Sequence, residues 1–347
     1  MSTENKHKKI DKLATSSKST VVVTKYQNVD KSKLLEKIDD DIQELNRLKK
    51  QIQMQSEDNT QKMKELELKS TQIVTNWKDN TNAFWKDVDQ REFRQYELAY
   101  DRVKVFYKEQ HTKQTVAYNI QARINFKTKI RDKMTVWDAL IKLNNLLDES
   151  DPDTELSQID HALQTAEAIR RDKKPRWFQL VGLIHDLGKL LYFYDSKGQW
   201  DVVGDTFPVG CKFSKKIIYH DFFKDNPDYK NPLYNTKFGI YSRHCGLANV
   251  MLSWGHDEYM YHLAKEQSTL PAEALAMIRY HSFYPWHHEG AYKYLMDEKD
   301  HEMLSAVSAF NPYDLYSKND ITYDIEELRP YYQDLIDEFF PNKLVEF

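Results

Sequence analysis

Glycine and proline are missing from the first part of this chain. The first proline is Pro152 and the first glycine is Gly182, so all 9 glycines and all 10 prolines lie beyond residue 151. Both residues interrupt helices, and a stretch of this length without them is typical of helical structure wherever it is ordered. Strand signals are few, although Tyr192–Val203 predicts a hairpin around Ser196-Lys197-Gly198. We therefore predict a mainly α fold.

Cysteine and long apolar runs are also scarce. Cys211 and Cys245 are the only two cysteines, too few for a disulfide framework, which favours a reducing, cytoplasmic setting. The sequence has neither a signal-peptide pattern nor an apolar stretch of membrane-spanning length. A net charge of -4 without a basic domain argues against a dedicated nucleic-acid binder. Phosphate-binding P-loops, GxGxxG and GxSxG motifs are absent too.

The first 76 residues differ in composition from the rest. Residues 1–33 carry eight lysines against three acids, a balance of about +5 that predicts a disordered basic tail. Residues 34–76 carry a partial heptad, from Leu35 to Ile73, that is broken by polar residues such as Lys49. This predicts a helix, either in a coiled coil or packed alone on the following domain. Dense aromatic residues indicate that 77–347 is one globular domain.

Apolar periodicity predicts several helices within that domain. They are Glu97–Tyr107, Thr135–Leu147, His161–Arg171, Trp177–Leu191, Leu247–Glu266, Pro271–His281 and Ile325–Phe340. Trp177–Leu191 is apolar on nearly every side and is predicted to be a buried core helix.

That core helix contains His185-Asp186, which is unusual because a buried carboxylate must be paired or bound to a metal ion. Gly188 weakens the helix by about 1 kcal/mol relative to alanine and suggests the close approach of another chain segment. The alternative is a core histidine satisfied by an aspartate partner.

Other residues join this pair as candidate ligands: His161, His256, His281 and Asp314. Each alone is more often structural, and Asp314, after Asn311-Pro312, is interpreted as a first-turn acid of a short helix. Taken together, histidine and aspartate without cysteine suit catalytic Fe, Mn or Zn. Six ligands are too many for one open ion, and they fit two ions bridged by a carboxylate.

Two lysines lie four residues after candidate ligands: Lys189 follows His185, and Lys318 follows Asp314. A buried lysine beside divalent cations should have a lowered pKa. It could then accept a proton from a substrate hydroxyl, or donate a hydrogen bond to it. The alternative for each is an ordinary surface lysine.

The order H…HD…D, formed by His161, His185-Asp186 and Asp314, resembles that of the HD-domain metalloproteins. From about residue 91 onward, the chain closely resembles the myo-inositol oxygenase family within that superfamily. The resemblance rests on these strings: LLDESDPD (146–153), HALQTAEAIR (161–170), LVGLIHDLGK (180–189), VVGDTFPVGC (202–211), SWGHDEYMY (253–261), MIRYHSFYPWH (277–287) and LRPYYQ (328–333).

The resemblance implies an HD-type helical bundle with a mixed-valent Fe(II)/Fe(III) site that cleaves myo-inositol with O2 to glucuronate. One iron would be held by His161, His185 and Asp314, the other by His256 and His281, with Asp186 as the bridge. Lys189 would act in catalysis. The implied substrate contacts are Arg94, Asp148, Glu149, Ser150, Lys189, Gly204, Asp205, His281, Ser282 and Lys318.

Two alternatives remain open from the sequence. An HD-type phosphohydrolase would need only His161, His185-Asp186 and Asp314, which leaves His256 and His281 idle. An inactive scaffold would place its function in residues 1–75. Residues 34–75 carry the partial heptad and precede the region that resembles the family. They could therefore mediate oligomerisation.

Overall fold

The computed structural model describes residues 101–150, 157–316 and 323–347. The predicted tail (1–33) and heptad segment (34–76) lie outside these residues, as do Arg94 and Lys318.

The described part of the chain is mainly helical, as predicted. Its α-helices in chain order are α1 Asp101–Lys113, α2 Val116–Thr128, α3 Val136–Leu143, α4 Gln158–Arg171, α5 Arg176–Ile184, α6 His256–Gln267, α7 Ala272–Tyr280, α8 Tyr284–His287, α9 Glu298–Tyr316 and α10 Ile325–Phe339. Short 3₁₀ helices connect them, the longest being Leu187–Phe193. In this described part, no helix is both long and apolar enough to cross a lipid bilayer.

Helices α4 and α5 form the centre of the bundle, and α7, α9 and α10 pack around them. Their contact is close because Gly182 of α5 lies against α4: a Cβ added at Gly182 would come within 2.9 Å of the Ala166 Cα. Large side chains fill the surrounding core, and Trp137, Phe178 and Phe310 are at most 1% exposed. Burial of the apolar surface of these side chains stabilises the bundle and fixes the positions of the helix ends.

The only sheet among the described residues is a two-residue antiparallel ladder. Strand β1 (Lys133–Met134) pairs with β2 (Val345–Glu346), which ties the end of the chain to the segment before α3. The hairpin predicted at Tyr192–Val203 was wrong. That segment contains the end of one 3₁₀ helix and a second one at Gln199–Asp201, and its turn at Gly198 has a φ of +154°.

The predicted helix bounds agree best with the observed bounds where the apolar residues form one regular face. The prediction Ile325–Phe340 matches α10, and Pro271–His281 matches α7. Leu247–Glu266 was wrong over its first half, where a 3₁₀ turn and extended chain precede α6.

The predicted core helix Trp177–Leu191 is not continuous. Helix α5 ends at Ile184, and the chain continues as the 3₁₀ helix Leu187–Phe193. The break falls at His185-Asp186, the polar pair whose position the apolar periodicity did not predict.

His111 of α1 lies in a separate aromatic cluster. Its ring stacks on Phe223 with centroids 4.0 Å apart, and Phe207 and Phe213 pack around Phe223. The side chain is 0% exposed, and burial lowers the pKa of His111 to about 3.

Candidate metal centre

Asp186 lies at the middle of the candidate site, between two pairs of histidines. Its Oδ2 atom is 3.7 Å from His161 Nε2 and 3.6 Å from His185 Nε2. Its Oδ1 atom is 3.4 Å from His256 Nε2 and 3.5 Å from His281 Nε2. Each carboxylate oxygen thus faces a different pair, the arrangement that a carboxylate shared by two ions requires.

The first position is formed by side chains from three helices. His161 lies in α4, His185 follows α5, and Asp314 lies near the end of α9. Asp314 Oδ1 is 3.1 Å from His161 Nε2 and 3.3 Å from His185 Nε2. The prediction that Asp314 begins a short helix was wrong, since it belongs to the last turns of the long α9, which tolerates Pro312 inside it.

The second position is formed where α6 begins and α7 ends. His256 is the first residue of α6, and His281 directly follows α7. Their Nε2 atoms are 3.3 Å apart, and both rings are buried. Ligand atoms about 2.1 Å from one ion lie about 3.0 to 3.4 Å from one another, so this spacing suits a metal ion.

Backbone carbonyls orient three of the four histidine rings. Nδ1 of His185 donates to Gly182 O at 2.9 Å, and Nδ1 of His281 donates to Ile278 O at 2.9 Å. Nδ1 of His256 donates to Val202 O at 2.8 Å. A hydrogen on Nδ1 leaves the Nε2 lone pair available as a ligand, and such outer contacts are usual for metal-binding histidines.

The residues present fit a metal ion. His185 is 0% exposed, and its Nε2 has no hydrogen-bond partner among the described residues although it faces two carboxylates. A buried polar atom without a partner is costly unless something else binds it. The donor set of imidazole and carboxylate suits Fe, Mn or Zn, and two groups of three potential ligands share Asp186.

Carboxylate charge is retained at the centre. Burial acts to raise the pKa of Asp186 and of Asp314, but neighbouring cationic groups and hydrogen bonds hold both well below their usual values. Lys189 and His185 do so for Asp186, and His161 and His185 for Asp314. Both carboxylates are therefore available as anionic ligands.

Lys189 connects the centre to the predicted substrate residues. Its Nζ lies 2.8 Å from Asp186 Oδ2 and 2.8 Å from Asp148 Oδ2. Burial acts to lower the pKa of Lys189, but the carboxylates of Asp148 and Asp186 outweigh burial and raise it. The predicted lowering depends on bound divalent cations and stays a prediction. Lys189 is thus placed to donate a hydrogen bond to Asp186 and to pair with Asp148. It belongs to the 3₁₀ helix after α5, so it does not share one α-helical face with His185.

The other predicted substrate residues are placed unequally. Asp148 is buried and accepts a hydrogen bond from Ser150 Oγ at 2.6 Å. Asp205 is buried and accepts from Tyr107 Oη at 3.1 Å, directly after Gly204, whose φ is +87°. The side chain of Glu149 is exposed, and its backbone N–H donates to Gln199 Oε1 at 2.9 Å.

Ser282 lies next to the second position. Its Oγ atom is 3.3 Å from His256 Nε2, and its carbonyl accepts a hydrogen bond from Thr206 N at 2.9 Å. This backbone bond joins the segment after Asp205 to the residue after His281. The structure therefore places Lys189 between Asp148 and Asp186, Ser150 against Asp148, and Ser282 at the second position.

The second position is reinforced by a buried ion pair that sequence reasoning missed. Glu258, in the first turn of α6, accepts from Arg279 Nε of α7 at 2.5 Å and from Arg123 of α2 at 2.7 Å. These interactions lower the pKa of Glu258 to about 2 although burial acts to raise it. The pair joins the turn after His256 to the turn before His281.

Asp257 was also missed, although it repeats the His-Asp dipeptide of His185-Asp186 and that repetition was the available signal. It is 0% exposed, and its Oδ1 lies 2.7 Å from His256 Nε2 and 3.5 Å from His281 Nε2.

Comparison with known proteins identifies one family. The family model described as myo-inositol oxygenase matches residues 100–347. Inositol oxygenase 1 of Arabidopsis thaliana is 50% identical over 273 residues, covering 76% of this chain and 86% of the relative. Inositol oxygenase of Dictyostelium discoideum is 50% identical, covering 73% and 89%. Inositol oxygenase of Danio rerio is 49% identical, covering 74% and 94%.

Proposed function

The chain belongs to the myo-inositol oxygenase family, and on that premise we propose that it uses O2 and a pair of iron ions to cleave the ring of myo-inositol to D-glucuronate. The observation that supports this most is Asp186, whose two oxygens face two different pairs of histidines. A phosphohydrolase reading is less well supported because it gives His256 and His281 no role.

The proposed ligands follow from the distances above. His161, His185 and Asp314 would hold the first ion, His256 and His281 would hold the second, and Asp186 would be shared by both. A mixed-valent Fe(II)/Fe(III) pair would supply Lewis acidity toward adjacent substrate hydroxyls and the capacity to react with O2. The protein's contribution is to fix these side chains in a buried pocket where charge is strongly felt.

The reaction balances without an external reductant. One carbon–carbon bond of the ring breaks, and the substrate supplies all four electrons that O2 accepts. One oxygen atom enters the carboxylate of the product and the other leaves as water. The proposed ligands are each at most 9% exposed, so the reaction would take place in a site with little access to solvent.

Lys189 is the proposed catalytic side chain. It is held by Asp148 and Asp186, so its ammonium group can donate a hydrogen bond to a substrate oxygen beside the bridging aspartate. A donor at this place stabilises negative charge that develops on that oxygen. Proton abstraction from that oxygen, the other role that the sequence suggested, requires the lower pKa that two bound cations would favour.

Hydroxyl recognition is assigned to the remaining polar groups. Asp148, Ser150, Asp205 and Ser282 lie near Lys189 or the second position, and we extend the assignment to these: Arg94, Glu149, Gly204, His281 and Lys318. A site built from such donors and acceptors rejects analogues that leave its buried polar groups without a partner.

The experiment that tests the proposal combines iron analysis with product identification. The purified chain, reconstituted with iron, is expected to hold two iron ions and to convert myo-inositol to D-glucuronate with one O2 consumed for each product. Turnover that continues unchanged after O2 is removed would refute the oxygenase assignment. Phosphate release from a phosphoester, without O2 uptake on inositol, would favour the phosphohydrolase instead.

Lys189→Ala tests the catalytic assignment. The variant is expected to keep both iron ions and to lose turnover by about 10²-fold or more, in the range usual for loss of one positioned donor. Lys133→Ala is the matched control, since Lys133 is exposed and pairs with Glu346 on the surface. Full activity of the Lys189 variant would remove its proposed role.

We also propose a cytoplasmic location, because Cys211 and Cys245 are both free thiols. Oligomerisation through residues 34–75 stays a prediction, and the size of the full chain in solution compared with that of a chain lacking those residues would test it.

A further inference from the structure

Asp257 occupies a place at the second position that no role in the proposed site yet explains. Its Oδ1 atom lies 2.7 Å from His256 Nε2 and 3.5 Å from His281 Nε2. These are the two nitrogen atoms that face Oδ1 of the bridging Asp186. Asp257 therefore points at the same space as the other ligands of this position.

The first position offers a direct parallel. Asp314 Oδ1 lies 3.1 Å from His161 Nε2 and 3.3 Å from His185 Nε2. In both positions, one carboxylate oxygen from outside the bridge thus lies within 3.5 Å of both histidine nitrogens. If Asp314 is a ligand of the first ion, the same geometry makes Asp257 a ligand of the second.

The surroundings of Asp257 provide an independent argument about its charge. The next residue, Glu258, is also buried, and Arg123 and Arg279 compensate it. Within residues 101–150, 157–316 and 323–347, Asp257 pairs with no arginine or lysine, although it is 0% exposed. Its compensating partners are the imidazoles of His256 and His281, which would have to be protonated to fill that role. A metal ion bound to the same two nitrogens would supply the positive charge instead.

Two hydroxyl-bearing residues hold the carboxylate in this orientation. Thr206 Oγ1 donates to Oδ2 at 3.1 Å, and Ser282 Oγ donates to Oδ1 at 3.1 Å. The backbone N–H of Ser282 also reaches Oδ2 at 3.3 Å. These neutral donors fix the plane of the carboxylate without neutralising it, which is the usual task of groups around a metal ligand.

We propose that Asp257 is the terminal carboxylate ligand of the second metal ion in the substrate-free enzyme, the counterpart of Asp314 at the first. The inference rests on the proposed two-iron site. Each ion then has two imidazoles, one carboxylate of its own and one oxygen of Asp186. Because Thr206 follows Asp205 and Ser282 follows His281, Asp257 also ties two predicted hydroxyl-binding segments to the second ion.

Asp257→Asn tests the inference by metal binding, independently of turnover. The amide keeps an oxygen that can accept from Thr206, and it presents a neutral NH2 group in place of the anionic oxygen. Metal-free protein is titrated with Fe(II) under anaerobic conditions, and the number and affinity of the bound ions are measured. We expect one ion with wild-type affinity and a second ion bound at least ten-fold more weakly.

Thr206→Val is the matched control because it removes one hydrogen bond to Asp257 and leaves the carboxylate. It is expected to bind both ions within about three-fold of wild type, since an outer contact contributes less than the ligand it orients. Two ions of wild-type affinity in Asp257→Asn, or equal weakening in Thr206→Val, would overturn the inference.

A crystal structure of the wild-type protein loaded with Fe(II), without inositol, decides the matter if the variant does not fold. An Asp257 oxygen within about 2.3 Å of the second ion supports the assignment, and a separation above about 3 Å overturns it. If the wild type itself fails to bind two ions, the proposed two-iron function fails. If the wild type binds both and only the Asp257 result is negative, the function stands and this inference falls.

Discussion

His281 and His111 are both buried histidines, yet they lie in two differently built parts of the molecule. His281 faces the carboxylates of Asp257 and Asp186, which outweigh the effect of burial and raise its pKa to about 9. His111 stacks on Phe223 among aromatic rings, and burial lowers its pKa to about 3. The two pKa values differ because carboxylates are buried beside His281 and not beside His111.

This contrast explains why no histidine could be assigned as a ligand by itself. Burial alone accommodates a neutral imidazole such as His111, whereas a ligand needs converging Nε2 atoms and anionic oxygens. The metal centre therefore depends on buried charged side chains, whereas the aromatic cluster around His111 does not. The predictions below test that dependence, from the largest expected effect on the free energy of unfolding to the smallest.

Glu258→Gln should have the largest effect. It removes the charge that compensates buried Arg279, and breaking a buried pair in this way costs about 3–5 kcal/mol. Urea unfolding of the metal-free protein measures it. The control is Glu346→Gln, whose partner Lys133 is exposed, with an expected cost below about 1 kcal/mol. Equal costs would show that the second position does not depend on its buried ion pair.

Gly188→Ala is expected to cost about 3 kcal/mol, the upper end for an overpacked core. An added Cβ would lie 2.1 Å from the backbone oxygen of His256, so α6 would have to move away from the 3₁₀ helix. Gly255→Ala is the control, since its Cβ would lie 3.2 Å from Val202 O and its φ of −171° is extended backbone. Thermal unfolding of both variants tests the contact. An unchanged Tm for Gly188→Ala would contradict it.

His281→Ala should remove the second ion and retain the first. At free Fe(II) about 100-fold above the dissociation constant, each bound ion adds about 2.7 kcal/mol to the free energy of unfolding, and the variant should lose that amount. His111→Asn, in the aromatic cluster, should keep the whole metal-dependent gain. Anaerobic unfolding with and without Fe(II) makes the comparison, and a loss of the gain in both variants would contradict it.

His111→Asn should have a pH-dependent effect of about 2 kcal/mol. The unfolded chain protonates this histidine near pH 6.5, whereas the folded protein resists protonation until about pH 3. The stabilisation from neutral His111 is therefore complete above pH 6.5 and is lost as the pH falls toward 3. The cost of the substitution should be about 2 kcal/mol smaller at pH 5 than at pH 8, because each pH unit corresponds to about 1.4 kcal/mol. Urea unfolding at both values tests this, and an identical cost would show normal titration.

The fold was predictable where one apolar face decides the structure. Ile325–Phe340 and Pro271–His281 were close to α10 and α7 for this reason. Trp177–Leu191 was predicted as one helix because all its faces are apolar, and periodicity does not register a break whose cause is a pair of polar side chains. The break at His185-Asp186 depends on residues more than 60 positions away, such as His256 and Asp314.

The candidate site was only partly accessible to the sequence. His-Asp inside an apolar run indicated a buried polar site, and Gly188 indicated the close approach now seen at His256. Spacing alone could not select ligands, and their assignment came from the resemblance. Asp257 was missed because its neighbour Glu258 belongs to the same acidic run, and only the three-dimensional positions of Arg279 and His281 separate the two acids.

The ends of α5 and α7 have a further electrostatic consequence. His185 and His281 each directly follow a helix. The Nδ1–H of His185 donates to Gly182 O and that of His281 to Ile278 O, both in the last turn of the preceding helix. These are the negative ends of two helix dipoles, and each favours a nearby cation by about 0.3–1 kcal/mol. The dipoles arise from the backbone, so substituting a ligand side chain leaves them in place. Part of the attraction for metal ions therefore persists in every ligand variant and should appear as weak residual binding.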